Sequence, residues 1–415
     1  MIQTKVRDNS IFSINTILIL WLALWSVNFM GQGTNIVMFG GIILIIIFLF
    51  KGRSISFSFL IIFYIIFLFG ALYSIFLNYY FDYDILRGYR ELFIPITLFT
   101  IGFLSMDKKK SVMYNAKLIK NFFITISFFL FLYAILNLIS HLNLFGEVLI
   151  YERKIYDIWS KELVEATAQG SRLTLITSML IPWILYRQSF SKVSGICIIS
   201  CALISIISTL IMGNRSLLMI LGITLSITFI LYLKQNNNDI KRTVQFLIIL
   251  FIVAVLCIIL FVYDIFGVKT FYESSSLYMR MEKSSGSWFE DPRVKAWIMA
   301  FVGLYFNPMG GSKTQLELSI PHNLWLDIAY TTGVIPFTLI VIITLFYIFL
   351  IIRLFRTDEL PESFKIFVCA ISIALLLNLM IEPILSGHYV LFMIFMFQLG
   401  LIQGLVNKIK SENSG

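Results

Sequence analysis

Long apolar runs recur along the whole chain, and short polar or charged segments separate them. The runs hold about 17 to 24 residues, enough for a helix to cross a hydrocarbon core roughly 30 Å thick. This pattern differs from the alternation of apolar and polar positions in a membrane β-barrel. It therefore predicts an all-α fold, a polytopic membrane helix bundle. The twelve predicted spans are residues 12–30, 34–50, 57–77, 91–106, 121–140, 173–187, 193–212, 217–233, 243–265, 333–352, 364–381 and 389–407.

The composition agrees with a membrane protein, because 59% of the 415 residues are hydrophobic and only 13% are charged. Soluble globular domains carry about 25% charged residues. The first apolar run is similar to a signal peptide, but no small-residue cleavage site follows Phe29 and another run starts almost at once. We expect this run to be a helix of the mature protein, and we predict one integral membrane domain over residues 1–415.

The distribution of basic residues predicts the orientation of the bundle. Lysine and arginine near span ends are retained on the cytoplasmic side. The densest basic segment is DKKKSVMYNAKLIK, residues 107–120, between the fourth and fifth spans. If this segment is cytoplasmic, both termini of a twelve-span chain are cytoplasmic too. The net charge of +9 then reflects orientation rather than nucleic-acid binding, and we predict no nucleic-acid partner.

The four cysteines, Cys197, Cys201, Cys257 and Cys369, all fall inside predicted spans. A disulfide framework would instead place them in the oxidising outer loops. Cys197 and Cys201 share a helix face, but no histidine or carboxylate lies beside them, which favours packing over a metal site. We therefore predict neither disulfides nor a metal site from the cysteines.

Three of the predicted outer segments are of functional interest. Residues 141–172 mix aromatic and charged side chains, as in an amphipathic segment lying against the bilayer. MGNRS, residues 212–216, is a very short turn. Residues 267–332 form a large extracytoplasmic loop, in which DPRVKAWIMAFVGLYF predicts a helix with Asp291 near its cap and Pro292 in its first turn. A loop of this length in a compact protein is usually functional.

His322 lies where the large loop returns to the membrane, in the stretch SIPHNLWLDIAY. Pro321 restricts the backbone before it, and HNLWLDIAY begins a helix that leads into the tenth span. A histidine exchanges protons near neutral pH, which suits it to general-base catalysis. The alternative is an interfacial histidine that only hydrogen-bonds a helix end.

Two arginines on the same outer face are candidate anion-binding groups. Arg215 occupies the MGNRS turn against the positive-inside preference, although it can also snorkel to the interface. A guanidinium matches phosphate oxygens two at a time. Arg293 lies one residue into the loop helix, with Trp297 four residues later on the same face. Its alternative role is an ion pair with Asp291 or Glu290 on a solvated surface.

Other charged residues at outer span ends are weaker candidates. They are Arg172, Arg87, Arg90 and Glu382. Charge in this position is expensive unless it is paired or functional. His141 and His388 are predicted to lie at membrane interfaces without a catalytic role.

Three motifs follow one another in this part of the chain: GNRSLL at a span start, then PRVKAWIMAFVGLYFNPMGG, then PHNLWLDIAYTTGVIP. In this order they resemble the O-antigen ligase and O-antigen polymerase superfamily. That superfamily shares an arginine turn, an Arg-x-x-x-Trp helix that ends in a Pro/Gly turn, and a His-Asn motif followed by glycine. The resemblance covers residues 213–336 in motif and the whole chain in its twelve-span layout.

The chain departs from the family pattern in two places. The family often has Gly-x-x-Gly after its histidine helix, whereas here Gly333 is followed by Pro336. The turn after the arginine helix commonly reads Pro-x-x-Gly-x-Gly, whereas this chain has Pro308, Gly310 and Gly311. Both departures concern loop geometry, because the candidate base and both candidate cations are present.

The resemblance implies transfer of a glycan from an undecaprenyl-diphosphate-linked oligosaccharide to an acceptor hydroxyl, at the outer face of the bacterial cytoplasmic (inner) membrane. It implies His322 as general base and Arg215 and Arg293 as cations that bind the diphosphate. It implies no metal or other cofactor; the Asp-x-Asp sequence outside a span is DYD, residues 82–84. The predicted substrate-binding residues are Asn323, Trp297, Arg172 and Glu382.

Family members differ in their acceptor. A polymerase extends another lipid-linked repeat unit, whereas a ligase moves the finished chain to lipid A core. The motifs are common to both, and the two departures favour the more divergent polymerases. The expected partners are the lipid-linked oligosaccharide, membrane lipid and a chain-length regulator protein.

A transporter, such as a flippase for the same lipid-linked sugars, is the alternative of another class. Flippases keep ionisable residues in a central cavity and show two related halves. This chain has almost no charge within its spans and concentrates its candidates at one face. An enzyme is therefore favoured, and it requires Arg215, Arg293 and His322 to line one cavity.

Overall fold

The computed structural model describes residues 14–53, 55–81, 85–148, 153–235, 258–283 and 291–413, together with residues 244, 248, 255 and 256. The longer helices of this part are Ile14–Ser26, Gly33–Phe50, Phe57–Phe81, Ile85–Ser105, Val112–Phe145, Ala166–Ser178, Lys192–Met212, Arg215–Gln235, Pro292–Phe306, Val334–Arg356, Glu362–Ile381 and Tyr389–Asn413. The shorter ones are Leu180–Leu185, Val268–Glu273, Ser276–Lys283, Leu324–Thr332 and Ile384–Gly387, with 3₁₀ turns at Phe29–Gly31, Arg187–Ser189 and Ile265–Gly267. Two short strands, Lys154–Tyr156 and Leu163–Glu165, pair antiparallel.

Within the described residues, eight helices are long and apolar enough to cross a membrane. They match the second, third, fifth, seventh, eighth, tenth, eleventh and twelfth predicted spans. The all-α membrane bundle is therefore confirmed, and the chain is a multi-pass membrane protein.

Twelve spans are not confirmed, for different reasons along the chain. The first apolar helix, Ile14–Ser26, has only 13 residues. The fourth predicted span lies in Ile85–Ser105, which carries charged residues in its first two turns. The sixth is broken after Ser178, where Pro182 lacks the N–H that would continue the helix. The ninth, 243–265, falls mostly outside the described residues.

The helices Ile85–Ser105 and Tyr389–Asn413 run side by side in the same direction, in backbone contact. A Cβ on Gly400 would overlap the carbonyl oxygen of Phe99, and one on Gly102 would overlap that of Phe397. Small residues at such a crossing let two membrane helices approach closely. This pair lies at the centre of a cluster of buried apolar side chains that extends from Leu18 to Ile409.

The segment 141–172, which the sequence pattern predicts to be amphipathic and to lie against the bilayer, contains a β-hairpin that packs on the bundle. Within its described residues, a helix ends at Phe145 and the two strands form a hairpin. The Asp157 carboxylate accepts hydrogen bonds from the backbone N–H groups of Trp159 and Ser160 in the hairpin turn. The Trp159 indole donates to the Val27 carbonyl oxygen at 3.0 Å, so that this aromatic ring is held against the bundle.

The described cysteines are free, as the sequence predicts: Cys197, Cys201 and Cys369. The Sγ atoms of Cys197 and Cys201 lie 3.9 Å apart on one helix. Cys257 lies outside the described residues. No group of three histidine, cysteine, aspartate or glutamate side chains that could hold a metal ion occurs in the described part of the chain.

Candidate functional site

One cavity of about 310 Å³ brings together the three residues that the sequence analysis proposed as catalytic. Arg215, Arg293 and His322 all line it. The complete lining is Arg153, Thr167, Asn214, Arg215, Ser216, Asp291, Pro292, Arg293, Leu318 and His322. We call this the arginine cavity. It lies at the end of the bundle where the MGNRS turn and the large loop meet.

Three helices begin at the wall of the arginine cavity. Thr167 is the second residue of Ala166–Ser178, Arg215 is the first of Arg215–Gln235, and Arg293 is the second of Pro292–Phe306. The N-terminus of a helix carries a partial positive charge and unpaired backbone N–H groups, so it attracts anions. The helix N-termini and the arginine side chains therefore both favour an anion in this cavity.

Local sequence explains why two of these helices begin at the cavity. Gly213 ends the preceding helix in the left-handed conformation, at φ 63°, and so reverses the chain. The Asn214 side chain then accepts a hydrogen bond from the Ser216 backbone N–H at 3.1 Å. In the other helix, Asp291 is the N-cap, accepting from the Arg293 N–H at 2.8 Å, and Pro292 occupies the first turn, as predicted.

His322 has a left-handed backbone conformation at the cavity wall. Its φ is 59°, which is uncommon for residues other than glycine, although asparagine, aspartate and histidine adopt it more often than most. Its Nδ1 is buried and makes no hydrogen bond within the described residues. Burial and, secondly, the positive charge of Arg293 lower the pKa of His322 to about 4. The imidazole is therefore neutral at pH 7 and able to accept a proton.

Trp297 and Asn323 position the histidine turn. The Trp297 indole donates to the Pro321 carbonyl oxygen at 2.7 Å. The Asn323 side chain caps Leu324–Thr332 by accepting from the Leu326 N–H at 3.1 Å, and its amide donates to the Met380 carbonyl oxygen at 3.0 Å. Neither side chain lines the arginine cavity. Their polar atoms are used within the protein, which favours a positioning role over the predicted substrate contact.

Residues 308–311 and 331–334 form a backbone joint between the turn after Pro292–Phe306 and the end of Leu324–Thr332. The Val334 N–H donates to the Pro308 carbonyl oxygen at 2.8 Å, and the Gly311 N–H donates to the Thr331 carbonyl oxygen at 2.9 Å. A Cβ on Gly333 would overlap the Pro308 carbonyl oxygen. The joint ties the end of Pro292–Phe306, the helix of Arg293, to the end of Leu324–Thr332, the helix that follows His322. It also separates Leu324–Thr332 from the next membrane helix, Val334–Arg356.

Arg153 is the functional candidate that the sequence analysis missed. It lines the arginine cavity, and its Nε and Nη2 atoms are buried without a hydrogen-bond partner in the described residues. Burial lowers the pKa of its guanidinium, which Arg293 and Arg215 lower further and which Glu382 and Glu165 raise. Buried guanidinium N–H groups without acceptors are costly, and an anion in the cavity would satisfy them.

Glu382 lies behind the cavity wall rather than in its lining. It is 1% exposed, and its Oε1 accepts a hydrogen bond from the Ser216 hydroxyl at 2.6 Å. Its negative charge acts on Arg153. This arrangement favours a role as a counter-charge that positions Arg153 and Ser216.

Arg172 belongs to a separate polar cluster and does not line the arginine cavity. Its guanidinium lies over the Tyr133 ring at 4.5 Å and donates to the Gln169 side chain at 2.8 Å. The Tyr133 hydroxyl donates in turn to the Asp157 carboxylate. Arg172 therefore connects its helix to the hairpin through Tyr133.

The remaining weaker candidates are also placed. His141 and His388 are 5% and 2% exposed, so both side chains are buried within the protein. His141 accepts from the Tyr156 N–H, and His388 lies 2.8 Å from the Ser171 hydroxyl. Arg90 pairs with Glu91 at 2.5 Å. The Arg87 side chain and the DYD sequence lie outside the described residues.

Comparisons of the sequence with protein-family models and with curated proteins found no match. We therefore infer a function from the arginine cavity. Three guanidinium groups and three helix N-termini favour an anion, and a neutral histidine provides a base beside it. Asp291 is the acidic residue of the lining, and its carboxylate is used to cap the Arg293 helix.

Proposed function

We propose that this protein is a membrane glycosyltransferase that moves a glycan from an undecaprenyl-diphosphate-linked donor to an acceptor hydroxyl. The observation that supports the proposal is the meeting of Arg153, Arg215, Arg293 and His322 at one cavity of about 310 Å³. A diphosphate is an anion that this set of cations and helix ends would bind. The lipid tail of the donor would extend into the surrounding membrane.

His322 would act as the general base. The acceptor hydroxyl loses its proton to the neutral imidazole while its oxygen forms a bond to the anomeric carbon. The bond between that carbon and the diphosphate oxygen breaks, and the diphosphate leaves with the electron pair. Attack from the face opposite the leaving group inverts the anomeric configuration.

The arginines would stabilise the charge that develops on the leaving diphosphate. Cationic donors aimed at a developing negative charge lower the barrier because they are already oriented before the reaction. In many soluble enzymes a metal ion has this role. We propose that Arg153, Arg215 and Arg293 supply it here and that no cofactor is required.

We propose a polymerase, in which the acceptor is another lipid-linked repeat unit. An O-antigen ligase with lipid A core as acceptor would use the same residues, and it is the second candidate. We place the protein in the bacterial inner membrane with both termini cytoplasmic, so that the arginine cavity faces outward. A chain-length regulator protein is a further proposed partner.

A substitution at His322 tests the proposal directly. Alanine would add strain at φ 59°, so glycine and asparagine, which tolerate this conformation, are the better replacements. We expect His322→Gly and His322→Asn to reproduce the glycan profile of a deletion strain on gels, at protein levels equal to wild type. Lys295→Gln, a change at a partly exposed side chain on the helix of Arg293, is the matched control and should retain the normal ladder.

The same gels distinguish the acceptors. A single repeat unit on lipid A core indicates a lost polymerase, whereas free lipid-linked polymer with bare core indicates a lost ligase. A normal ladder in both His322 variants would exclude this histidine as the base.

A further inference from the structure

A second cavity, of about 720 Å³, opens at the same end of the bundle. Its lining includes Gln32, Asn35, Arg90, Ser386 and Tyr389, and we call it the Gln32 cavity. Ser386 follows Glu382, whose carboxylate accepts a hydrogen bond from Ser216 in the arginine cavity, by four residues. Four residues span at most about 14 Å, so the two cavities are neighbours.

The wall of the Gln32 cavity changes from polar to apolar along the helix axes. Gln32 and Asn35 stand at the start of one membrane helix, and Met38 and Phe39 lie about one turn further along it. On the neighbouring helix, Arg90 is followed after three residues by Phe93. Such a gradient fits an amphiphile whose polar group lies at the bundle end and whose chain points into the membrane.

The polar part of the Gln32 cavity has the groups that bind a saccharide. The Asn35 amide donates to the Gln32 side-chain oxygen at 2.5 Å, and the remaining amide atoms of this exposed pair can donate to and accept from hydroxyl groups. Tyr89 and Tyr389 provide ring surfaces. Arg90 is fixed by Glu91 at 2.5 Å and lies over the Tyr389 ring at 4.6 Å. Its guanidinium is a preorganised cation at the cavity wall, suited to an acidic sugar or a phosphate.

The segment between Glu382 and Tyr389 connects the two cavities. Ser386 and Gly387 face the Gln32 cavity, and the next residue, His388, is anchored on Ser171. Burial first, and then the positive charge of Arg172, lower the pKa of His388, and the charge of Arg293 lowers it further. His388 therefore lies within the electrostatic field of the arginine cavity.

We propose that the Gln32 cavity binds the acceptor, a second lipid-linked saccharide, beside the donor in the arginine cavity. This inference depends on the proposed function, because it assigns the donor diphosphate to the arginines. The two cavities then hold two amphiphiles side by side at one bundle end, each with its chain directed into the membrane. Such a pair is what a polymerase that joins two lipid-linked repeat units requires.

Ser386→Trp tests the inference because Ser386 is exposed at the cavity and the indole would fill part of it. Leu163→Trp, at an exposed strand position that lines neither cavity, is the matched control. The measurement is native mass spectrometry of the full-length protein titrated with undecaprenyl-diphosphate-linked oligosaccharide from the host. We expect two bound molecules for wild type and Leu163→Trp, and one for Ser386→Trp. Two molecules on Ser386→Trp would overturn the inference.

Further measurements separate the inference from its premise. If Ser386→Trp is recovered poorly, Gln32→Ala with Asn35→Ala provides a cavity variant with two exposed substitutions, and it should weaken the second binding step about tenfold or more. Phosphatidylglycerol that fills the second site as tightly as the lipid-linked saccharide would show a membrane-lipid site and overturn the proposal. If purified wild type binds two molecules but transfers no glycan, the proposed function fails while the second site stands.

Discussion

At the residue scale, the candidate site combines a histidine in a left-handed conformation with a partly unsatisfied arginine. His322 has φ 59°, and its buried Nδ1 makes no hydrogen bond within the described residues. Arg153 has φ 47°, and two of its buried guanidinium nitrogens likewise make no hydrogen bond there. Left-handed conformations of such residues cost about 1 to 3 kcal/mol each and persist where the surrounding structure imposes them. This arrangement favours an occupant of the cavity that can hydrogen-bond these nitrogens.

Arg153 should contribute directly to anion affinity. We expect Arg153→Gln to weaken binding of inorganic diphosphate about tenfold or more, because a buried charge-assisted contact is lost. Isothermal titration calorimetry of the detergent-purified protein measures this. Lys154→Gln is the control, since it removes the same charge from an exposed neighbour and should leave the affinity nearly unchanged. Equal affinities for the two variants would contradict a role for Arg153 in the cavity.

The pH dependence of transfer should report His322. Its pKa is lowered to about 4, so the neutral imidazole is the main form at all higher pH values. The value of kcat/KM should therefore fall only as the pH approaches about 4 and this imidazole becomes protonated. Arg293→Gln removes one of the two causes of the lowered pKa. The pKa should then rise, and the acid limb of kcat/KM should move to higher pH. Profiles of both proteins with the same substrate measure the shift, and an unmoved limb would argue against the electrostatic contact.

At the element scale, the joint between residues 308–311 and 331–334 fixes the histidine turn. Gly333 has φ 85° and ψ −168°, a region that is essentially restricted to glycine, and a Cβ there would overlap the Pro308 carbonyl oxygen. The joint therefore determines the relative position of the Arg293 helix and the His322 helix. Trp297 adds a second tie between the two elements through Pro321.

Gly333→Ala should weaken this joint. We expect a loss of about 1 to 3 kcal/mol from backbone strain, together with a lower transfer rate, because the arginine and the histidine would move apart. Gly222→Ala is the control, since its φ is not positive and nothing lies within 4 Å of a new Cβ. Thermal unfolding in detergent and the transfer assay measure the two effects. A Gly333→Ala protein that is as stable and active as the control would disprove the constraint.

At the scale of the whole molecule, close packing of two parallel helices supports the bundle. Gly102 and Gly400 allow Ile85–Ser105 and Tyr389–Asn413 to touch along their backbones. The same pair carries Arg90 and Tyr389 at one end, where the Gln32 cavity opens. The packing of the bundle and the shape of this cavity therefore depend on one helix crossing.

Gly400→Leu should disrupt that crossing. Its side chain would overlap the backbone of Phe99, and the helices cannot separate without losing the contacts on both sides. We expect little or no monodisperse protein by size-exclusion chromatography in detergent. Gly222→Leu is the control, because nothing lies within 4 Å of a Cβ at this exposed position. A normal elution profile for Gly400→Leu would show that the crossing can relax.

The predictability of the site differs from residue to residue. The Asp291 cap, the Pro292 first turn and the short Arg215 turn are local features, and the sequence predicts them correctly. Arg153 could not be predicted as a candidate because no motif in the adjacent sequence includes it. Its position in the cavity depends on the hairpin and on Glu382, which is distant in the sequence. Asn323 and Trp297 were predicted to touch substrate, whereas their partners, Met380 and Pro321, are known only from the folded chain.

The sequence by itself determined that this is a helical membrane protein, because helix-length apolar runs have no other stable environment. It also determined where individual helices begin, since caps, prolines and glycines act within a few residues. Only the tertiary structure decided that Arg153 joins Arg215, Arg293 and His322, and that Arg172 lies elsewhere. The reason is that apolar periodicity specifies a buried face but not its neighbour, so contacts between distant segments depend on how the whole bundle packs.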